Sequence, residues 1–195
     1  GKSHIKNILS SPDVDAMMRA CRQFGAHVES NAADELVIHG VAGVLQVMDG
    51  ETIDAGNSGQ VLRYLTAVMA TQSVEVTVTG DESICSNRPI YPYINSFKQL
   101  GVSCSSIKGN GYAPVRIKGP FRSREITVDG QDSQTVTGLC IAATLGDGET
   151  VINVNDPGET PWLDLTLSWL HRVGVPVRRD GYTQFVISGK TIDAF

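Results

Sequence analysis

A chain of 195 residues with 41% hydrophobic and 19% charged residues can bury a full core, as one large domain or two small ones. Its net charge of −5 argues against non-specific binding to nucleic acid or to an anionic membrane surface, both of which need a basic face. No apolar run approaches the roughly 18 residues of a membrane span, and no signal peptide is expected at the start.

The cysteines (Cys21, Cys85, Cys104, Cys140) form no CxxC pair, and none lies near a histidine at ligand spacing. Cys21 and Cys140 fall in helical apolar patterns, as small core residues do. A reduced, cytoplasmic compartment is expected. His4, His27, His39 and His171 are scattered, so no metal site is expected.

Taken in order, residues 2–9 read as a short strand, with Ile5 apolar and its neighbours polar. Ser11-Pro12-Asp13 starts a helix: a serine cap, a proline in the first turn, then an acid. Val14, Met17, Met18 and Cys21 form its apolar stripe, and Gly25 stops it. Residues 27–40 read as a hairpin. Asp54-Ala-Gly-Asn-Ser-Gly-Gln-Val-Leu-Arg63 then leads into a second helix, with Val61, Leu65, Val68 and Met69 nearly all apolar. Residues 73–80 alternate as a strand. Arg88-Pro89 opens a helix carrying Ile90, Ile94, Phe97 and Leu100, stopped at Gly101, and a hairpin follows to Gly119.

The plan then recurs. Residues 125–129 form a strand, and Asp132-Ser133-Gln134 caps a helix with Val136, Leu139, Cys140 and Ala143. Residues 149–155 form a strand. Residues 161–172 form a helix with Leu163, Leu167 and Leu170, stopped at Gly174, and a hairpin ends at Gly189. The glycine stops at 25, 101 and 174 are 76 and 73 residues apart, the length of a supersecondary repeat. The expected fold is one α/β domain of three βαβαββ-type units, about 1–50, 51–120 and 121–190. The units surround a pseudo-threefold axis, helices inside and sheets outside. The first lacks its leading strand and helix, so an excised domain is expected.

The Gly-Asn-Ser-Gly turn before a helix suits an anion, because small residues allow close approach and a helix start presents free N–H groups and positive dipole. A capped helix with a surface arginine is the plainer alternative. With threefold packing, Asn57, Gly59, Gln60 and Arg63 would converge with Asp132, Ser133 and Gln134, and with Arg88 and Glu159-Thr160-Pro161-Trp162. Arg88 at a helix start opposes the dipole, which favours a functional role over a structural one. Arg63 could instead anchor a helix interface. Trp169 and Met17 are expected in the core, and Lys2 and Lys6 in solvent.

Five segments in order carry a family resemblance: Gly56-Asn-Ser-Gly-Gln-Val-Leu-Arg63; Thr79-Gly-Asp-Glu with Asn87-Arg-Pro-Ile90; Tyr112-Ala-Pro-Val-Arg-Ile-Lys-Gly119; Ser133-Gln134; and Pro161-Trp-Leu-Asp-Leu-Thr-Leu167. Together they resemble the N-terminal domain of the 5-enolpyruvylshikimate-3-phosphate synthase family of enolpyruvyl transferases. The resemblance implies two such domains with the active site between them. It implies transfer of the enolpyruvyl group of phosphoenolpyruvate to a hydroxyl of shikimate 3-phosphate, with phosphate release and no cofactor. Gly59, Arg88 and Gln134 would face phosphoenolpyruvate, with Asn57, Gln60 and Arg63 shaping that side. Ser133 would face the acceptor phosphate, beside Asp132, Glu159 and Trp162. The absent second domain would supply the general acid and base, so no catalytic residue is assigned here. Lys2-Ser3 is not the family's Lys-Ser motif, because it aligns with a strand.

The sequence departs from the pattern at Gln60 for threonine, Asp132 and Glu159 for serines, and Trp162 for tyrosine. Two carboxylates beside a phosphate would each cost about a few kcal/mol at an effective dielectric near 20. Either Asp132 is an N-cap and Glu159 a first-turn acid, or the acceptor lacks the usual phosphate. A non-catalytic binding module is the remaining alternative.

Overall fold

A computed structural model describes residues 1–121 and 124–189. Three units follow one another. The first holds β1 (Lys2–Lys6), α1 (Pro12–Gln23), β2 (His27–Ala32) and β3 (Glu35–His39). The second holds β4 (Glu51–Asp54), α2 (Gly59–Met69), β5 (Val76–Thr79), α3 (Glu82–Asn87), α4 (Tyr91–Gln99), β6 (Ser103–Ser106) and β7 (Val115–Lys118). The third holds β8 (Glu125–Asp129), α5 (Ser133–Ala143), β9 (Glu149–Asn155), α6 (Thr160–Arg172), β10 (Val177–Asp180) and β11 (Gln184–Ser188).

Each unit forms its own sheet. The second runs β4-β5-β7-β6 and the third β8-β9-β11-β10, so the two share one topology. Their leading strands pair in parallel, β4 with β5 and β8 with β9, and the other pairs are antiparallel. A parallel pair needs a crossover, which α2 and α5 provide. The first sheet, β1-β3-β2, repeats the last three strands of that order.

Alternation sets the layers. In β8, Ile126 and Val128 are buried between exposed neighbours, and in β9 the buried Thr150, Ile152 and Val154 alternate with exposed or half-buried residues. Each sheet therefore has a core face and a wet face. Inside lie α2 and α5, packed on each other. Nine of the eleven residues of α5 are buried, from Ser133 to Ala143, as expected of a helix apolar all round. Gly138 makes room for Tyr93 of α4 against α5: a Cβ there would lie 2.0 Å from the Tyr93 hydroxyl, which donates to the carbonyls of Gln134 (3.2 Å) and Thr135 (3.0 Å).

The glycine stops have the expected geometry. Gly25, Gly101 and Gly174 have φ of 92°, 72° and 77°, a left-handed conformation that glycine adopts without steric cost.

Several expectations need correction. The helix expected from Arg88 starts at Tyr91, and the unforeseen α3 precedes it, capped by Asp81. Arg88 closes α3 in an extended conformation (φ −114°, ψ 92°) because Pro89 follows and disfavours the helical region. A cation at the end of a helix does not oppose the dipole. The strand β4, with Ile53 as its one buried residue, precedes the Gly-Asn-Ser-Gly turn and was missed because it is so short. The first strand ends at Lys6, and Ile5 in it is exposed. On α1 the fully buried residues are Ala16 and Ala20, while Val14, Met17, Met18 and Cys21 are half-buried. Trp169, expected in the core, is 57% exposed.

Candidate functional site

The starts of α2, α5 and α6 and the α3–α4 junction enclose an open concavity of about 320 Å³, lined by Arg63, Arg88, Gln131, Asp132, Gln134 and Glu159. Five of these six were expected together from sequence. Their placements differ in kind.

Arg63 is the tie. It is buried one turn into α2, and its guanidinium reaches back to the start of its own helix and across to two other segments, the α3–α4 junction and the α5 start. Nη1 donates to Gly59 O (3.3 Å) and to Gln134 Oε1 (3.0 Å), and Nη2 donates to Pro89 O (3.4 Å) and lies 2.6 Å from Asp132 Oδ2. Arg63 therefore meets the anchor reading: its donors are spent inside the protein. The planar fork suits this, since lysine has one nitrogen to serve four partners.

Asp132 is the N-cap of α5, accepting from Gln134 N at 2.9 Å through Oδ1, while Oδ2 faces Arg63. Its charge is neutralised from α2 rather than turned towards a ligand. The Gln134 amide is oriented by the same tie. With Oε1 accepting from Arg63 and Nε2 bonded to no described residue, the two Nε2 hydrogens can donate into the concavity.

Gly59 lies beneath these groups. A Cβ there would sit 3.0 Å from Arg63 Nη1 and 3.6 Å from both Arg88 Cδ and Gln134 Oε1. Glycine at the first position of α2 keeps the floor open and its backbone within reach of a ligand. Arg88 crosses above it, exposed, with no ion pair or side-chain hydrogen bond to any described residue. The concavity thus offers one uncommitted guanidinium, one oriented amide and a helix start.

Asn57 faces away from this cluster. Its Nδ2 donates to Asp81 Oδ2, and Gly56 is tied by Asp54 Oδ1 (2.8 Å) and by Asp81 N (2.9 Å). The Asn57 hydrogen bond, then the Ile84 N–H, holds the Asp81 carboxyl below its usual range. Asn57 fixes the turn before α2. Gln60 is exposed in the first turn of α2, outside the lining.

On the other wall, Glu159 departs from the first-turn-acid reading. It is the N-cap position of α6 in a left-handed conformation (φ 48°, ψ 40°), and its side chain does not cap its own helix. The carboxylate instead crosses to α5, accepting from Ser133 Oγ (2.8 Å) and Ser133 N (3.3 Å). An internal anion therefore occupies the α5 start. Ser133 is buried, and its hydroxyl is committed to that contact. Trp162 is 58% exposed in the first turn of α6, beyond the lining.

Gln131 was missed from sequence. It lines the concavity while donating to Asp156 Oδ2 at 2.7 Å, and its adjacency to Asp132-Ser133-Gln134 was the available signal. Tyr93, which supports the α5 start from below, had no local signal beyond an apolar periodicity. Among the described residues no group of three or more His, Cys, Asp or Glu could hold a metal ion, and no helix is long and apolar enough to cross a membrane.

The three units thus form a repeated α/β domain with a polar concavity at its helix starts. The family model for EPSP synthase (3-phosphoshikimate 1-carboxyvinyltransferase) matches residues 1–194, and the chain belongs to that family. It is 37% identical over 177 residues to the 3-phosphoshikimate 1-carboxyvinyltransferase of Chlamydia pneumoniae, covering 90% of this chain and 39% of the relative. It is 34% identical over 195 residues to that of Chlamydia muridarum, covering 100% of this chain and 44% of the relative. The structure of EPSP synthase from Acinetobacter baumannii superposes with a TM-score of 0.84 at 26% identity, over 97% of this chain and 42% of that one. The chain thus spans about two-fifths of the length of the proteins it matches.

Proposed function

We propose that residues 1–195 form one domain of a two-domain, cytoplasmic enzyme. It transfers the enolpyruvyl group of phosphoenolpyruvate to a hydroxyl of shikimate 3-phosphate and releases phosphate. The observation that carries this reading is the cluster of Gly59, Arg88 and Gln134. A guanidinium and an amide nitrogen that pair with no described residue, set over a glycine floor, suit a small ligand with carboxylate and phosphate groups. Arg63 and Asn57 hold this wall in shape, and Gln60 borders it. Asp132, Ser133, Glu159 and Trp162 form the acceptor side.

In this reading the domain binds and orients. Holding two anions in one cleft converts an encounter into a positioned reaction, and fixed cations and amides stabilise charge as it develops. Asp132 and Glu159 are engaged with Arg63 and Ser133, so proton transfer falls to the second domain. No cofactor is required.

Phosphate release by the full-length polypeptide, supplied with phosphoenolpyruvate and shikimate 3-phosphate, tests the reading. Release that depends on both substrates supports it, and the 195-residue chain alone should give none. Absence of release from the full-length polypeptide would refute it. A second reading rests on Glu159: because its carboxylate holds the Ser133 N–H and hydroxyl, the acceptor would lack a phosphate at that position. Tight calorimetric binding of shikimate 3-phosphate would sink that alternative.

A further inference from the structure

The concavity is lined by two carboxylates, and they are held in different ways. Asp132 Oδ2 lies 2.6 Å from the buried Arg63 guanidinium, so a full positive charge locks it in place. Glu159 makes no ion pair with any described residue. A single oxygen, Oε2, accepts from Ser133 Oγ (2.8 Å) and from Ser133 N (3.3 Å), both neutral donors. The residue is exposed, so solvent lies beside its side chain.

The seat that Oε2 fills is well defined. Ser133 is the first residue of α5 and is only 1% exposed. Its backbone N–H has no partner within the helix, and its hydroxyl points at the same oxygen. The two donors therefore converge at the positive end of an 11-residue helix, where an anionic oxygen is favoured. Glu159 reaches them from another helix, at a cost to its own. Its backbone is left-handed (φ 48°, ψ 40°), which is unfavourable for a residue with a Cβ, and α6 is left without a side-chain cap.

We propose that Glu159 is a displaceable stand-in for the acceptor's phosphate, and so a specificity-determining residue. The inference rests on the first reading above, in which the acceptor carries a phosphate. In the free protein the carboxylate closes the Ser133 seat. When the acceptor enters, a phosphate oxygen takes both Ser133 donors and the Glu159 side chain swings into solvent. A phosphate group has three strong acceptor oxygens and more charge than a carboxylate, so it gains more from the helix start. Asp132 stays where it is, matched by Arg63. The acceptor binds only those molecules whose seat is open, and its apparent affinity falls by that fraction. An acceptor lacking the phosphate leaves the seat closed and escapes this effect.

Calorimetric titration of the full-length polypeptide with shikimate 3-phosphate, and with shikimate as the phosphate-free control, tests the proposal. Glu159→Gly removes the carboxylate and supplies the residue best suited to a left-handed backbone. It should bind shikimate 3-phosphate about tenfold tighter than the wild type, the gain expected if the seat is closed in about nine-tenths of free molecules. Shikimate binding should stay within about twofold. Glu159→Gln keeps one acceptor oxygen and loses the charge, and should gain in the same direction by less. A Glu159 that merely braces the start of α6 predicts the opposite sign, weaker binding in both variants.

Unchanged or weaker binding of shikimate 3-phosphate to the glycine variant would overturn the proposal, as would an equal gain for shikimate. If the glycine variant does not fold, the glutamine variant decides in the same way, and loss of the fold in both would make the contact structural and overturn the proposal. Turnover by the wild type with no gain in the variants would sink this inference and leave the proposed reaction standing. A gain in phosphate affinity without turnover by the wild type would do the reverse.

Discussion

The Arg63 guanidinium lies 2.6 Å from Asp132 Oδ2, and this pair joins the interior of α2 to the cap of α5. Arg63 is buried and Asp132 is partly open, so removing either leaves the other poorly served. Arg63→Ala strips a charged partner from Asp132 and Gln134, and should cost about 2–4 kcal/mol in urea unfolding. Asp132→Asn keeps the cap and loses the charge, and should cost less. A double-mutant cycle should return a coupling above about 1 kcal/mol. Additive losses would mean that the pair is incidental.

Gly138 should not accept a side chain. The Cβ of Gly138→Ala would lie 2.0 Å from the Tyr93 hydroxyl, so overpacking should cost about 1–3 kcal/mol. Tyr93→Phe removes the clashing oxygen and should recover part of that loss in the double variant, as chemical denaturation would show.

Thiol reactivity should divide the cysteines. Burial pushes the Cys104 and Cys140 thiols up to about 12, so both remain protonated near pH 8. Cys21 and Cys85 are half-buried. A disulfide reagent at pH 8 should modify at most two cysteines in the folded chain and all four after denaturation.

The turn before α2 should carry a pH signature. The folded pKa of Asp81 is depressed, chiefly by Asn57. Its contribution to stability is therefore present above the ordinary carboxylate range and is lost as pH falls through the depressed value. Asn57→Ala should move the Asp81 titration up towards the ordinary range in a carboxylate NMR experiment. An unmoved titration would show that the Asn57 contact does not form in solution.

The repeat was legible because glycine stops and alternating strands are local signals, and the strand orders of the second and third sheets match it. Asp132 as a cap was equally local. What escaped was set by tertiary contacts. Glu159 reads as a helix-start acid until its left-handed backbone turns the carboxylate onto Ser133 of another helix. Arg88 reads as a helix opener until Pro89 holds it extended at the end of α3. Trp169 reads as core because large aromatics usually are, yet its face of α6 is open. The sequence favoured Arg88 over Arg63 for a functional role, but through a helix-start argument that its place at the end of α3 removes; the contacts supply the ground instead, with Arg63 spent on internal partners and Arg88 uncommitted among the described residues.

That difference between the arginines gives the most direct measurement. In the full-length polypeptide, Arg88→Ala should lower kcat/KM for phosphoenolpyruvate by about 100-fold or more, equivalent to about 2.7 kcal/mol of lost stabilisation, because a charged contact to the ligand disappears. It should leave the unfolding midpoint unchanged, because Arg88 supports no described contact. A variant that keeps its kcat/KM, or that loses stability along with activity, would contradict the assignment of Arg88 as the ligand's cation.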